Sequence, residues 1–465
     1  MKKTLSIIMS LCLILACFIS NVTITLAETS SQPTKGRVDP EAPEIFGDAA
    51  ILMEAETGAI LYEKNSDKQL YPASITKIMT ALLTIENCSM EDTVTFDENV
   101  ISSIPYDAAI LGVVAGEKMT VKDCLYALLM RSSNDVAIGL AMKISDTEES
   151  FATLMTNRAK QAGAINTQFA NSTGLHDEKH YTTAYDMAMI TKSAIQNQVF
   201  CQIAGMDCYT LSPTNKSPND QVIYHRHNML VSTRPDYYAY AEGGKTGYTD
   251  EAGNTLVTFA KKDGVTLICV VLKSDSKHVS RDTRALFDYG YSNFEKVNIA
   301  ENETRFSQNE DNFFVKMNGI FLTSGSLVSI ETGDYCMLPK GWTLNDLGFK
   351  IEYDDMSDGK IGNIKYYCGE NVMGTTTLSV QAQKSDEPIS PILHGNTSTE
   401  ENNSQIPINI WYVVAAAAIL VFIIVYIIYL VKTRDKRRRN RERKKVFKES
   451  KKRYKKRRRR PIKFK

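Results

Sequence analysis

Three short strings in a fixed order combine groups that can do covalent chemistry: Ser74-Ile75-Thr76-Lys77, Ser132-Ser133-Asn134 and Lys245-Thr246-Gly247. Together they can make a serine nucleophilic without any histidine. Ser74 and Lys77 are three apart, so on a helix they share a face and their side-chain atoms can meet. A neutral Lys77 takes the Ser74 proton during attack. It needs a pKa roughly three below the usual lysine value, which burial and a nearby cation supply. Lys245 is the candidate for that cation. A helix N-terminus at Ser74 also favours the oxyanion charge that develops there. Ser132 can relay a proton to a leaving amine, and Asn134 can hold a substrate carbonyl while bonding Lys77. Thr246 can bond a carboxylate, Gly247 lets backbone approach a ligand closely, and the Tyr248 N–H can complete an oxyanion hole with that of Ser74. Singly, each string has a plainer reading: a helix cap at Ser74, a solvated Lys77, an N-cap at Asn134, a turn at Lys-Thr-Gly. Their joint occurrence in this order points to acyl transfer.

The elements around the strings fit that use. Ala-Ile-Leu-Met-Glu-Ala from Ala49, Glu-Thr-Gly, then Ala-Ile-Leu-Tyr-Glu reads as a hairpin. Ser74 opens a helix in which Ile75, Ile78, Met79, Leu82 and Leu83 recur at helical spacing. Helical patterns continue to about residue 197, over 121–130, 135–144, 150–162 and 184–196. Strands return at 208–211 and flank Lys245; 254–260 and 265–272 form a second hairpin, and 279–293 a closing helix. Strands at both ends with helices between predict an α/β (α+β) fold: one sheet assembled from distant sequence, an inserted helical lobe, and a cleft between them. Residues 296–384 read as a small all-β domain, with strands at 313–317, 319–322, 327–330, 349–353, 364–368 and 376–380. There is no internal repeat.

The ends carry transport signals. Residues 1–27 read as an export signal: Lys2-Lys3, an apolar run, then Thr25-Leu26-Ala27. A linker spans 28–44, the acyl-transfer domain 45–295 and a stalk 385–409. Residues 410–431 carry no charge and are long enough for a transmembrane helix, with Trp411, Tyr412 and Tyr429 at its interfaces. The tail 432–465 holds 22 Lys+Arg against 3 Asp+Glu, a net +19, so the whole chain's +1 leaves −18 for the rest. Just inside a membrane, such a tail suits anionic lipids of the cytoplasmic leaflet and fixes topology. No nucleic-acid partner is expected. Cys12 and Cys17 leave with the signal, and seven cysteines remain without a C-x-x-C pair. Cys124 and Cys269 lie in apolar runs and read as buried thiols; Cys201/Cys208 and Cys336/Cys368 are left open as pairs. His176, His180, His225 and His227 lack the Glu or Cys company of a zinc site, so no metal and no cofactor are expected.

With their flanks, the strings resemble the low-molecular-mass penicillin-binding D-alanyl-D-alanine carboxypeptidases. The resemblance rests on Tyr71–Thr80, Arg131–Asp135, Gly174-Leu175 through Asp186, and Gly244–Gly253, and covers about residues 45–295. It implies a penicillin-binding/β-lactamase-like transpeptidase fold and a Ser74 that attacks the bond between the terminal D-alanines of a peptidoglycan stem peptide. β-Lactams would acylate the same serine. It also implies a terminal-carboxylate arginine upstream of Lys245, for which Arg226 is the candidate. Two departures stand out: Ser133 replaces a usual glycine, and a true span replaces the amphipathic anchor frequent in relatives. The alternatives are a β-lactamase, which needs a water-activating glutamate that 166–176 lacks, and a membrane-anchored β-lactam or muropeptide sensor.

Overall fold

The computed structural model describes residues 30–31, 41–98, 100, 104–305, 327–353 and 360–381. In chain order, the N-terminal part has strands β1 (Ala49–Glu54) and β2 (Ile60–Lys64), then helices α1 (Lys77–Asn87), α2 (Val121–Tyr126), α3 (Asn134–Ile144), α4 (Glu148–Gln161), α5 (Ala184–Ala194) and α6 (Gln198–Ala204). The ribbon β3 (Cys208–Leu211) and β4 (Gln221–Tyr224) follows, then β5 (Ala241–Thr249), β6 (Gly253–Lys262), β7 (Val265–Ser274) and α7 (Val279–Asn293). The central antiparallel sheet has the order β2-β1-β7-β6-β5. The first hairpin and the last meander thus close one sheet, with the helical lobe inserted between them. Every residue of β1 is buried, as befits a central strand covered on both faces.

Its alternation divides the interior. Ala49, Ile51 and Met53 join Ile268, Val270 and Leu272 under the helical lobe. Ala50 and Leu52 point the other way, with Cys269, Val271, Leu286 and Phe287. Period-two alternation therefore gives one strand two cores.

The second core continues into the C-terminal strands β8 (Phe294–Asn298), β9 (Leu327–Ile330), β10 (Tyr335–Pro339), β11 (Gly348–Tyr353), β12 (Lys360–Cys368) and β13 (Asn371–Gln381). β11, β12, β13 and β9 form one sheet in that order, with Ser30–Ser31 of the expected linker paired to β11. The expected boundary between residues 295 and 296 falls inside β8, which pairs with β10. The expected strands at 313–317 and 319–322 lie outside the described residues, as do the signal 1–27, stalk 385–409, membrane helix 410–431 and tail 432–465. Among the described residues no helix is long and apolar enough to cross a membrane.

One local expectation is corrected. The α-helix does not open at Ser74; Ala73–Thr76 form a 3-10 turn and α1 starts at Lys77. Ala73 has φ +51°, a left-handed conformation that an alanine adopts only under constraint. That kink after Pro72 aims the Ser74 side chain into the cleft instead of along a regular helix. Among the described residues the seven cysteines from Cys88 to Cys368 are all free thiols, and Cys124 and Cys269 are buried as expected.

Candidate active site

The three strings meet in one cavity of about 1010 Å3, lined among others by Ser74, Ser132, Asn134, Arg226, Thr246 and Tyr248. α1 delivers Lys77 wholly buried, and its Nζ makes three contacts. These reach Ser74 Oγ at 3.0 Å, Asn134 Oδ1 at 2.7 Å and the Thr173 carbonyl at 2.6 Å. The last two partners can only accept. A neutral amine has two protons for them and one lone pair, which then faces the Ser74 hydroxyl. That is the arrangement a general base requires.

The electrostatics favour the neutral form. Burial holds the Lys77 pKa well below the lysine range, and the charges of Lys245 and Arg226 push it further down. Lys245 is itself buried, and burial followed by Arg226 lowers its pKa to about 7. Two adjacent buried amines cannot cheaply hold two protons, so one of them stays neutral. The proposed cation is thus where the sequence reading put it.

Two glycines permit the close approach. At Gly247 a Cβ would lie 2.8 Å from the Ser74 nitrogen and 2.4 Å from Thr255 Oγ1. The edge strand β5 can therefore run against the N–H of Ser74 only with glycine there. Gly174, with φ +80°, presses against Ala73, where a Cβ would sit 1.9 Å from the carbonyl oxygen. Thr255 donates to the Pro72 carbonyl at 2.8 Å and ties β6 to the same turn.

Ser132 has φ +63° and ends the π-type turn Ala127–Arg131 that follows α2, which exposes its side chain to the cavity. Ser133 adopts φ −69°, which needs no glycine, and its hydroxyl donates to the Ala127 carbonyl. Asp135, next along, accepts from the N–H groups of Leu111, Gly112 and Val113 and so fastens the segment 111–113 that follows the cavity-lining residues 107–109. Arg226 is exposed in the cavity, its N–H bonded to the Met130 carbonyl; Arg131 lines the same space. The Tyr248 ring is exposed and its hydroxyl donates to Asp250.

The histidines are structural in geometry. His180 accepts the Ala170 N–H at Nδ1, so its Nε2–H donates to Thr76 Oγ1 at 2.9 Å; burial lowers its pKa to about 4 and keeps it neutral. His227, lowered to about 3 by burial and Lys245, likewise spends Nδ1 on the Met229 N–H and Nε2 on Thr258. Among the described residues no cluster of His, Cys, Asp or Glu has the makings of a metal site.

Sequence reasoning missed the Thr173 carbonyl, the third partner of Lys77. A backbone acceptor leaves no side-chain signature; the only trace was the turn-forming run Asn171-Ser172-Thr173-Gly174.

Comparisons with known proteins give the family and the fold. Residues 37–276 match the sequence profile of Peptidase S11, D-alanyl-D-alanine carboxypeptidase. The chain is 33% identical over 319 residues to D-alanyl-D-alanine carboxypeptidase DacF of Bacillus subtilis (strain 168), covering 66% of this chain and 76% of that one. It is 30% identical to the D-alanyl-D-alanine carboxypeptidase of Streptomyces sp. (strain K15), over 54% of this chain and 89% of the relative. Among solved structures, a serine-to-alanine mutant of the Streptomyces K15 DD-transpeptidase superposes with TM-score 0.51 at 29% identity, covering 54% of this chain and 99% of that one. Penicillin-binding protein 6B from Escherichia coli shares the fold over 74% of this chain and 98% of its own, with TM-score 0.54 at 24% identity.

Proposed function

Since the chain belongs to the Peptidase S11 family and is a serine-type D-alanyl-D-alanine carboxypeptidase, we propose that Ser74 is the nucleophile that opens the terminal D-Ala-D-Ala bond of peptidoglycan stem pentapeptides. Ser74 Oγ attacks the carbonyl carbon of the penultimate D-alanine while its proton passes to the lone pair of Lys77 Nζ. The oxyanion is held by the N–H groups of Ser74 and Tyr248. The C–N bond breaks, and the leaving amine of the terminal D-alanine takes a proton relayed through Ser132. Lys245, Thr246 and Arg226 hold its carboxylate. Water then attacks the ester, Lys77 takes one water proton, and Ser74 Oγ leaves with a proton returned to it.

The observation that carries this reading is the neutral-amine geometry at Lys77: two acceptors, one hydroxyl, and a second buried amine beside it. β-Lactams acylate the same oxygen and stay. The carboxylates that act electrostatically on Lys77, Asp135 and Glu148, are engaged with backbone N–H groups and with Ser172, which supports slow penicillin hydrolysis. Incubation with a stem pentapeptide should release D-alanine, and Ser74→Ala should release none. A folded wild-type protein inert toward every D-Ala-D-Ala peptide overturns the proposal.

On the same footing, residues 410–431 anchor the chain in a bacterial plasma membrane, with the catalytic part outside and the tail against anionic lipid. Composition supports this: 22 uncharged residues followed by a net +19. A C-terminal tag should resist protease in intact spheroplasts and be cut once they are lysed.

A further inference from the structure

One pair of ionisable side chains meets across the mouth of the cleft without belonging to the acylating groups. His176 Nδ1 lies 3.9 Å from Glu251 Oε2, and both residues line the catalytic cavity. They come from opposite walls. His176 ends the loop that supplies the Thr173 carbonyl to Lys77. The Asn171 side chain builds that loop as one piece: its Oδ1 accepts from Thr173 N–H, Thr173 O–H and Gly174 N–H, and its Nδ2 donates to the Leu175 carbonyl. A pull on His176 is therefore felt at Thr173, and through a 2.6 Å bond at Lys77. Glu251 sits in the turn between β5 and β6, six residues beyond Lys245. The His176 ring also packs edge-on against Tyr71, with centroids 4.7 Å apart, and Tyr71 leads through Pro72-Ala73 into Ser74. His176 thus touches the segments that lead to the nucleophile and the second amine, and it ends the loop that bonds the base.

Resting on the function proposed above, we propose that His176 and Glu251 form a tie across the cleft that sets the spacing of the two catalytic amines. They are positioning residues and do not touch the reacting atoms. At 3.9 Å the contact is Coulombic or bridged by water, not a direct hydrogen bond. Among the described residues no lysine or arginine forms an ion pair with Glu251. The other ionisable groups around His176 are Tyr71, Asp177 and His180 on its own side, and Asp250 and Tyr248 beside Glu251. His180 is held neutral by burial.

The test uses the full-length protein in detergent, with acylation by a fluorescent penicillin and D-alanine release from a pentapeptide followed at low and at high salt. Glu251→Gln and His176→Asn should each slow acylation about two- to fivefold at low salt, the size expected for a partly exposed polar pair, with kcat falling more than KM rises. The double variant should be no slower than either single one, because the two residues act as one unit. His176→Lys places a cation opposite Glu251 and should acylate at least as fast as wild type at low salt, with the advantage lost at high salt. Additive losses in the double variant, or a His176→Lys variant as slow as His176→Asn, overturn the tie while leaving the function standing. Wild-type protein that takes up no penicillin overturns the function and the tie with it.

Discussion

Charge is buried in opposite ways on the two sides of the central sheet. At the cleft, Lys77 and Lys245 are both buried, and among the described residues neither forms an ion pair with a carboxylate. Behind the sheet, the Glu303 side chain is fully buried but meets Arg305 at 2.8 Å and the Tyr366 hydroxyl at 2.9 Å. Glu54 is met there by the Tyr335 hydroxyl at 2.9 Å and by Thr57. Paired groups there fasten one element to another. Like charges side by side disfavour holding both protons, which leaves a lysine amine with a free lone pair. The proposed reactivity sits where the electrostatics are left uncompensated.

Substitutions at the two places should fail in different currencies. The largest effect belongs to Lys77→Ala, which removes the base: D-alanine release and penicillin labelling should both drop by at least about a thousandfold, with the fold retained by circular dichroism. Glu303→Ala should do the reverse. It leaves Arg305 without its buried partner and lowers stability by roughly 3–5 kcal/mol in urea, while the folded fraction acylates at the wild-type rate. Lys245→Met should separate the two quantities in one protein. Acylation falls about a hundredfold, yet stability near neutral pH rises by about 1–4 kcal/mol because a buried amine is gone.

The pH dependence of stability sharpens the point. In the folded chain Lys245 has a pKa of about 7, below its unfolded value. Between about 7 and the usual lysine value of ~10.4 the unfolded chain binds more protons, so stability should rise with pH across that window and lose this slope in Lys245→Met. The smallest effect is expected for Tyr335→Phe, about 1 kcal/mol of stability and no change in D-alanine release.

What the sequence made legible follows the range of each interaction. The Ser74–Lys77 contact was readable because a three-residue spacing is local. The approach of Lys245 to Lys77 depends on sheet order and was inferred from motif order; the influence of Arg226 on Lys77 was not read from the sequence, where Arg226 was only the carboxylate candidate. The start of α1 was misread by three residues, since Ala73 is left-handed where distant Gly174 packs against it, a conformation no propensity encodes. β10 escaped notice because Tyr335–Pro339 is buried at every position and shows no alternation. β8 was hidden by its position immediately after α7, at a boundary drawn from composition alone.

β1 has a consequence for how the molecule comes apart. Its odd-numbered side chains complete the interior beneath the helices, and its even-numbered ones complete the interior shared with the C-terminal strands. Inserting one residue would exchange the two sets and spoil both interiors at once. Nor can either half melt without stripping a face from the strand the other needs, so the described elements from β1 to β13 should denature in a single cooperative step.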